Sequence, residues 1–130
     1  LKGNGRFIAA TNGNNHMKEL ADLVPDAIKQ SVSSLRMRGQ AEMLAFRLEN
    51  GRAILEPYFN TVEQHLYDDS LWITEVEPLL AYAFSMINPD ENVPETAVTQ
   101  LHEAWAAKIE ADGGIRISKH SGVFVAANPR

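Results

Sequence analysis

The chain has no cysteine among its 130 residues, and this absence excludes several classes of site at once. Without thiols it forms no disulfide framework, no thiolate zinc or iron–sulfur site, and has no cysteine nucleophile. It also lacks an apolar run near the roughly 20 residues that a membrane-spanning helix needs; the longest such run covers about residues 79–87. These absences predict a soluble, cytoplasmic protein that does not contact a membrane.

Composition and length predict one globular domain over residues 1–130. Apolar residues make up 45% and charged residues 22% of the chain, which is ordinary globular usage. The net charge of −5 is unevenly spread. Residues 1–40 hold six basic and three acidic side chains, whereas residues 41–100 hold two basic and eleven acidic ones. Any contact with nucleic acid is therefore expected from the first part of the chain.

Helical spacing of apolar residues recurs along the chain and predicts an α+β, mainly α fold. Helices are expected over 17–24, from Asp26 onward, around 58–66, over 75–87 and from Pro94 to about residue 111. Pro25 predicts the end of the first helix, and Asp112-Gly113-Gly114 the end of the last. Residues 56–112 are thus expected to form a helical part.

Residues 41–56 allow two structures. Strong helix formers up to Leu48 favour one long helix over 26–49, closed by Asn50-Gly51. Alternatively, two strands joined at Asn50-Gly51 form a hairpin over 43–56, since Asn-Gly supplies the backbone that a tight turn needs.

The spacing of apolar residues changes from a helical to an alternating one near the end of the chain, where residues 115–127 predict a β-hairpin. Ile115 and Ile117 alternate with polar residues, and Val123-Phe124-Val125 follows His120-Ser121-Gly122. The segments over 5–11 and 122–128 also resemble each other, which is compatible with two strands of one small sheet joining the termini.

The stretch from about Arg6 to Leu55 resembles the winged helix-turn-helix domain of small bacterial and phage transcriptional regulators. The resemblance rests on three pieces, which are Asn12-Gly13 followed by Glu19-Leu20-Ala21, then Ile28, Val32, Leu35 and Gly39, and then the wing around Asn50-Gly51. It implies a DNA-binding regulatory protein, dimeric on paired half-sites of double-stranded DNA.

The same resemblance implies which residues would contact DNA. The second helix of the motif would place Lys29, Gln30, Ser33 and Arg36 toward base edges and phosphates. Arg38, Arg47 and Arg52 would hold the duplex backbone.

No residue spacing predicts catalysis, a metal site or a cofactor. The four histidines, His16, His65, His102 and His120, are far apart in sequence, and none has a recognised ligand spacing. The rival hypothesis is therefore a helical protein of assembly or protein–protein interaction, such as a phage or mobile-element accessory factor, which makes no contact with DNA.

Overall fold

The computed structural model describes residues 1–32, 44–87 and 89–130. In chain order its elements are β1 (Arg6–Asn12), α1 (Glu19–Leu23), α2 (Asp26–Ser31), α3 (Gly51–Leu55), β2 (Phe59–Ile73), α4 (Val76–Ser85), α5 (Glu95–Asp112) and β3 (Ile115–Pro129). The three strands form one antiparallel sheet in the order β1-β3-β2. The fold is therefore a mixed α/β fold, and the prediction of a mainly helical one is wrong.

The chain divides into two compact units. The first unit comprises residues 1–17, 39–69 and 118–130, and the second comprises residues 18–38 and 70–117. Strands β2 and β3 each contribute residues to both units, because the divisions fall at 69/70 and 117/118.

The first unit is organised by the pairing of β1 with β3. The register runs from Arg6 opposite Ala127 to Asn12 opposite Ser121. The likeness between the two segments thus does mark two strands of one sheet, as expected. Since side chains alternate between faces, Phe7, Ala9, Phe124 and Ala126 share one face, which we call the inner face.

The core of the first unit covers this inner face. Its buried members are Leu48, Leu55, Phe59, Phe124 and Ala126, with Phe46 and Val62 packed against them. The ring of Phe46 meets that of Phe124 edge to face at a centroid distance of 5.3 Å, and Phe7 stacks on Phe59 at 6.0 Å. The segment from residue 44 to α3 therefore supplies one side of this core.

The second unit is built around α4 and α5, which pack against each other. Trp105 of α5 is 1% exposed, and its indole N–H donates to the Leu23 carbonyl over 2.8 Å. Helix α5 begins directly after Pro94 and ends at Gly113, whose φ of 80° lets its N–H bond to the Ile109 carbonyl over 2.7 Å. The helices predicted over 75–87 and 94–111 are confirmed.

The helix predicted around 58–66 is wrong, because this segment is the first part of β2. Its apolar residues match a helical period by coincidence. Most β2 side chains are exposed, so no buried face imposes an alternating pattern on the sequence.

The hairpin predicted over 115–127 is also wrong, because β3 is a single strand of 15 residues. Gly122 was expected in a turn but is paired within β3 opposite Thr11. A Cβ there would lie 2.7 Å from Leu48 Cδ2 and 2.8 Å from the His65 carbonyl oxygen, so the glycine permits a close approach.

Neither structure predicted for residues 41–56 is present in the described residues. Asn50 Oδ1 accepts the Arg47 N–H over 2.7 Å, and the Gly51 N–H bonds to the Arg47 carbonyl over 2.8 Å. This turn leads into α3 at the position of the expected wing, so the wing over 43–56 is wrong.

The helix over 26–49 is wrong too, because α2 ends where Val32 becomes extended (φ −127°, ψ 94°). Residues 33–43 of the predicted helix and residue 43 of the predicted hairpin lie outside the described residues.

None of the described helices has the length and apolar character needed to cross a membrane.

Substituting Gly51 tests how tightly the first unit is packed. The ring of Phe124 lies where the Cβ of Gly51→Ala would be, and Phe124 is completely buried. We expect Gly51→Ala to lower the free energy of unfolding by about 1–3 kcal/mol, because the ring must move in a filled core. Urea denaturation measures this. Gly3→Ala is the control, since a Cβ there meets no atom within 4 Å; equal stability of the two variants would contradict the packing.

Candidate functional site

Four titratable side chains meet in the first unit although they are distant in sequence. His16 lies in the turn after β1, Glu49 lies before α3, Asp68 lies in β2, and His120 lies in β3. We call these four residues the His120 cluster. The β1–β3 ladder brings the two histidines together, because the Gly13 N–H bonds to the His120 carbonyl over 2.9 Å just beyond the end of β1.

The His120 imidazole lies between the two carboxylates. Its Nδ1 is 3.9 Å from Glu49 Oε1, and its Nε2 is 3.8 Å from Asp68 Oδ1. Both distances exceed that of a direct hydrogen bond, and Nδ1 is buried without a hydrogen-bond partner. The ring is therefore flanked by acceptors that it does not bind directly.

His16 has a defined protonation state in this arrangement. Its Nδ1 accepts the backbone N–H of His120 over 3.0 Å, so this nitrogen has no proton and Nε2 holds the proton of the neutral ring. Burial, followed by the charge of Lys119 and by His120, lowers the pKa of His16 below its ordinary value. His16 is thus a neutral imidazole at neutral pH.

A hydrogen-bond network joins this cluster to Arg47. Glu49 Oε1 accepts the Asn14 backbone N–H over 2.7 Å, and Arg47 Nη1 donates to Asn14 Oδ1 over 3.2 Å. The Nε atom of Arg47 is buried and has no hydrogen-bond partner. Arg47 thus helps to hold the turn after β1 in place, and its predicted contact with DNA stays a prediction.

The chemistry available to the His120 cluster is limited. Within residues 1–32, 44–87 and 89–130, no three His, Cys, Asp or Glu side chains are grouped closely enough to hold a metal ion. The two rings are linked by a backbone hydrogen bond, so one ring cannot pass a proton to the other through it. The arrangement stabilises the local structure and makes it sensitive to pH.

A second feature of the first unit is the face of the β1–β3 pair opposite its inner face. The β1–β3 register places Ile8, Ala10, Val123, Val125 and Ala127 together on this side, and we call these five residues the outer sheet face. Ile8 is 66% exposed, and the other four are exposed or half-buried. This face is therefore apolar and only partly buried.

The free side of β1 adjoins the outer sheet face. In the strand order β1-β3-β2, β1 has a neighbouring strand on one side only, and at its C-terminal end the Asn12 carbonyl accepts the Leu48 N–H over 3.2 Å and the Thr11 hydroxyl donates to the Phe46 carbonyl over 2.8 Å. The run from Phe7 to Thr11 contains no charged residue and no proline. Within the described residues, the sheet therefore ends over residues 6–10 on a mostly apolar strand segment whose outward backbone groups have no protein partner.

The residues predicted to contact DNA are divided among the two units and the part of the chain that the structure does not describe. Ser33, Arg36 and Arg38 lie outside the described residues. Lys29 and Gln30 belong to the second unit, where Lys29 Nζ is 3.9 Å from Asp26. Arg47 and Arg52 belong to the first unit; Arg52 donates to the Val62 carbonyl over 2.7 Å and lies 3.8 Å from Glu56. DNA binding and dimer formation stay predictions.

Sequence reasoning missed both the His120 cluster and the outer sheet face. The sequence gives no reason to group the four residues of the His120 cluster, since residues 16, 49, 68 and 120 share no local spacing. The likeness between 5–11 and 122–128 was the one available indication of the sheet, and an antiparallel pairing of the two segments places His120 opposite Gly13.

The chain has no match among protein-family models or curated protein sequences.

Acidification should destabilise the protein through His16. Because folding lowers its pKa below the ordinary value of 6.5, the unfolded chain binds a proton more readily than the folded one. The contribution of His16 is therefore complete above about pH 6.5 and is lost as pH falls through the lower, folded pKa. We expect His16→Gln to lose less stability than the wild type between pH 7 and pH 5, measured by urea unfolding. His102→Gln is the control, because it replaces a histidine of the second unit, which lies beside Glu77, and leaves His16 in place. An unchanged pH dependence in His16→Gln would refute this.

Proposed function

We propose that this protein is an assembly factor, to which a partner protein adds an apolar β-strand and a covering helix. The strand pairs with the free side of β1, and the helix packs on the outer sheet face. One observation supports the proposal most directly: Ile8 is 66% exposed in the middle of a strand at the sheet edge. The protein–protein interaction expected as the alternative to DNA binding is kept, but the interacting element is the sheet instead of the helices.

The composition of β1 favours pairing with a further strand. Sheet edges of monomeric proteins are commonly protected by charged residues, proline or a bulge. Between Phe7 and Thr11 β1 has no charge and no proline, and its register with β3 runs without interruption. An apolar run of this kind is typical of strands that lie inside a sheet.

The outer sheet face favours a helix as the second part of the partner. A sheet with apolar residues on both faces is normally covered by a layer on each side. The inner face already has such a layer in Leu48 and Leu55. Small and β-branched side chains on the outer sheet face, such as Ala10, Val123 and Val125, form a smooth surface that suits an amphipathic helix.

The charged and polar residues at the two ends of the outer sheet face indicate what the partner segment carries. Arg6 lies at one end of the outer sheet face, is exposed, and has no ion pair within the described part of the chain. At the other end, Ser121 donates to Asn12 Oδ1 over 3.2 Å, which satisfies these polar groups internally. The partner segment should therefore be apolar along its length and place a carboxylate near Arg6.

A second copy of the chain fits this surface less well. Antiparallel pairing of β1 with another β1 about Ala9 would place Ile8 opposite the small Ala10. The backbone groups would be paired, yet most of Ile8 would stay exposed. A self-associating protein is therefore an outcome that contradicts the proposal.

Photocrosslinking identifies the occupant of this surface. A photoreactive amino acid replaces Ile8 in cells, and the attached peptide is identified by mass spectrometry. We expect a peptide of another protein with a short apolar strand followed by a helix. The same replacement at Glu103, which is exposed on α5, is the matched control. Peptides of this chain alone, or the same peptides from both positions, would refute the proposal.

The identified peptide is then synthesised and titrated against the purified protein. Ile8→Lys should weaken its binding by at least about tenfold, since a charge would be buried in the interface. The same variant should leave the unfolding free energy within about 0.5 kcal/mol of wild type, as is usual for exposed positions. A large loss of stability would instead show that Ile8 packs within this chain.

A further inference from the structure

A groove of about 480 Å³ lies in the second unit, apart from the surfaces described above. Its apolar walls are Leu23 of α1, Trp72 of β2 and Ile115 of β3, and Gly114 forms part of its floor. This volume is in the range of small-molecule sites. The groove combines these apolar walls with charged side chains, which is the usual make-up of such sites.

Trp72 provides a flat aromatic surface in this groove. Its indole ring rests against Gly114, with Nε1 2.7 Å from where a Cβ would lie. The ring is nevertheless 58% exposed, in contrast to the buried Trp105. One part of the indole is thus fixed by the backbone, while the rest is open to a ligand. An aromatic ring of the ligand is a favourable partner for the exposed part of the indole.

The charged side chains of the groove differ in whether they have partners. Lys108 Nζ is 3.6 Å from Asp112 Oδ2, so these two residues neutralise each other. Glu19 also lines the groove and has an interaction of its own. Asp22 and Arg116 line it as well, and neither side chain has a hydrogen bond or ion pair within the part of the chain that the structure describes. One negative and one positive group therefore remain available beside Trp72.

We infer that this groove binds a small aromatic zwitterion, with its ring on Trp72, its carboxylate at Arg116 and its ammonium group at Asp22. Guanidinium–carboxylate and carboxylate–ammonium contacts are charge-assisted and stronger than neutral hydrogen bonds. Together with the aromatic contact they select for a molecule that has all three groups. A free aromatic amino acid is the simplest molecule of this class.

The probe for the test is L-phenylalanine, which has the three groups and no indole fluorescence of its own. It is titrated into the full chain, followed by tryptophan fluorescence and by heteronuclear NMR. We expect saturable binding with a Kd of about 1 mM, and NMR chemical-shift changes confined to residues of the groove. No saturation up to about 10 mM would overturn the inference.

Analogues and variants separate the three contacts. Phenethylamine lacks the carboxylate and 3-phenylpropionate lacks the ammonium group, and each should bind at least about tenfold more weakly than L-phenylalanine. Arg116→Gln should abolish the preference over phenethylamine, and Asp22→Asn the preference over 3-phenylpropionate. Trp72→Ala should remove binding of all three compounds. Because these side chains are exposed, the variants should keep the wild-type circular dichroism.

Arg6→Gln is the matched control, since it removes one unpaired arginine from the first unit. It should leave the affinity for L-phenylalanine unchanged. Equal affinity of the protein for the three compounds would overturn the inference. Equal losses of affinity for L-phenylalanine in Arg6→Gln and Arg116→Gln would overturn it as well. The assignment is independent of the assembly surface, because it involves a different unit and other residues.

Discussion

The antiparallel pairing of β1 with β3 is the constraint on which the first unit depends. It fixes seven consecutive residue pairs between the two ends of the chain. Hydrogen bonds extend the same pairing beyond β1, from the Gly13 N–H to His120 and from the Met17 N–H to Ser118 over 2.7 Å. These contacts join residues more than 100 positions apart, so their loop-closure entropy must be offset by burial of the inner face. The core around Phe124 supplies that burial.

The same pairing determines both features of the first unit that bear on function. A one-residue change of register would move Phe124 to the outer side and Val125 to the inner side, and would exchange the two faces of the sheet. It would also move His120 away from Gly13 and from the turn that contains His16. The packing of Phe124 on Gly51 therefore stabilises the His120 cluster and the outer sheet face as well as the core.

The sequence predicted the helices of the second unit because their boundaries are encoded locally. Pro94 precedes α5 and Gly113 ends it with a left-handed backbone, so each boundary depends on residues within one turn. Strand β2 was assigned to a helix because its side chains are mostly exposed and carry no alternating pattern. Gly122 was placed in a turn because the approach of Leu48 that requires it comes from a segment distant in sequence. Long-range contacts of this kind leave no local pattern, and the His120 cluster was missed for the same reason.

The fold gives internal contacts to two of the basic residues that the sequence predicts to contact DNA. Arg47 and Arg52 seemed suited to phosphate, yet the fold uses Arg47 to hold the turn at Asn14 and Arg52 to bind the Val62 carbonyl. A guanidinium group has five hydrogen-bond donors, so it binds acceptors within the protein as readily as acceptors of a ligand. The apolar run of β1 was in contrast treated as an ordinary strand, whereas its position at the sheet edge leaves Ile8 exposed. What a residue can bind is therefore set by which of its groups the fold leaves without a partner, and within the described residues these groups include the exposed side chain of Ile8 and the charges of Asp22 and Arg116 beside Trp72.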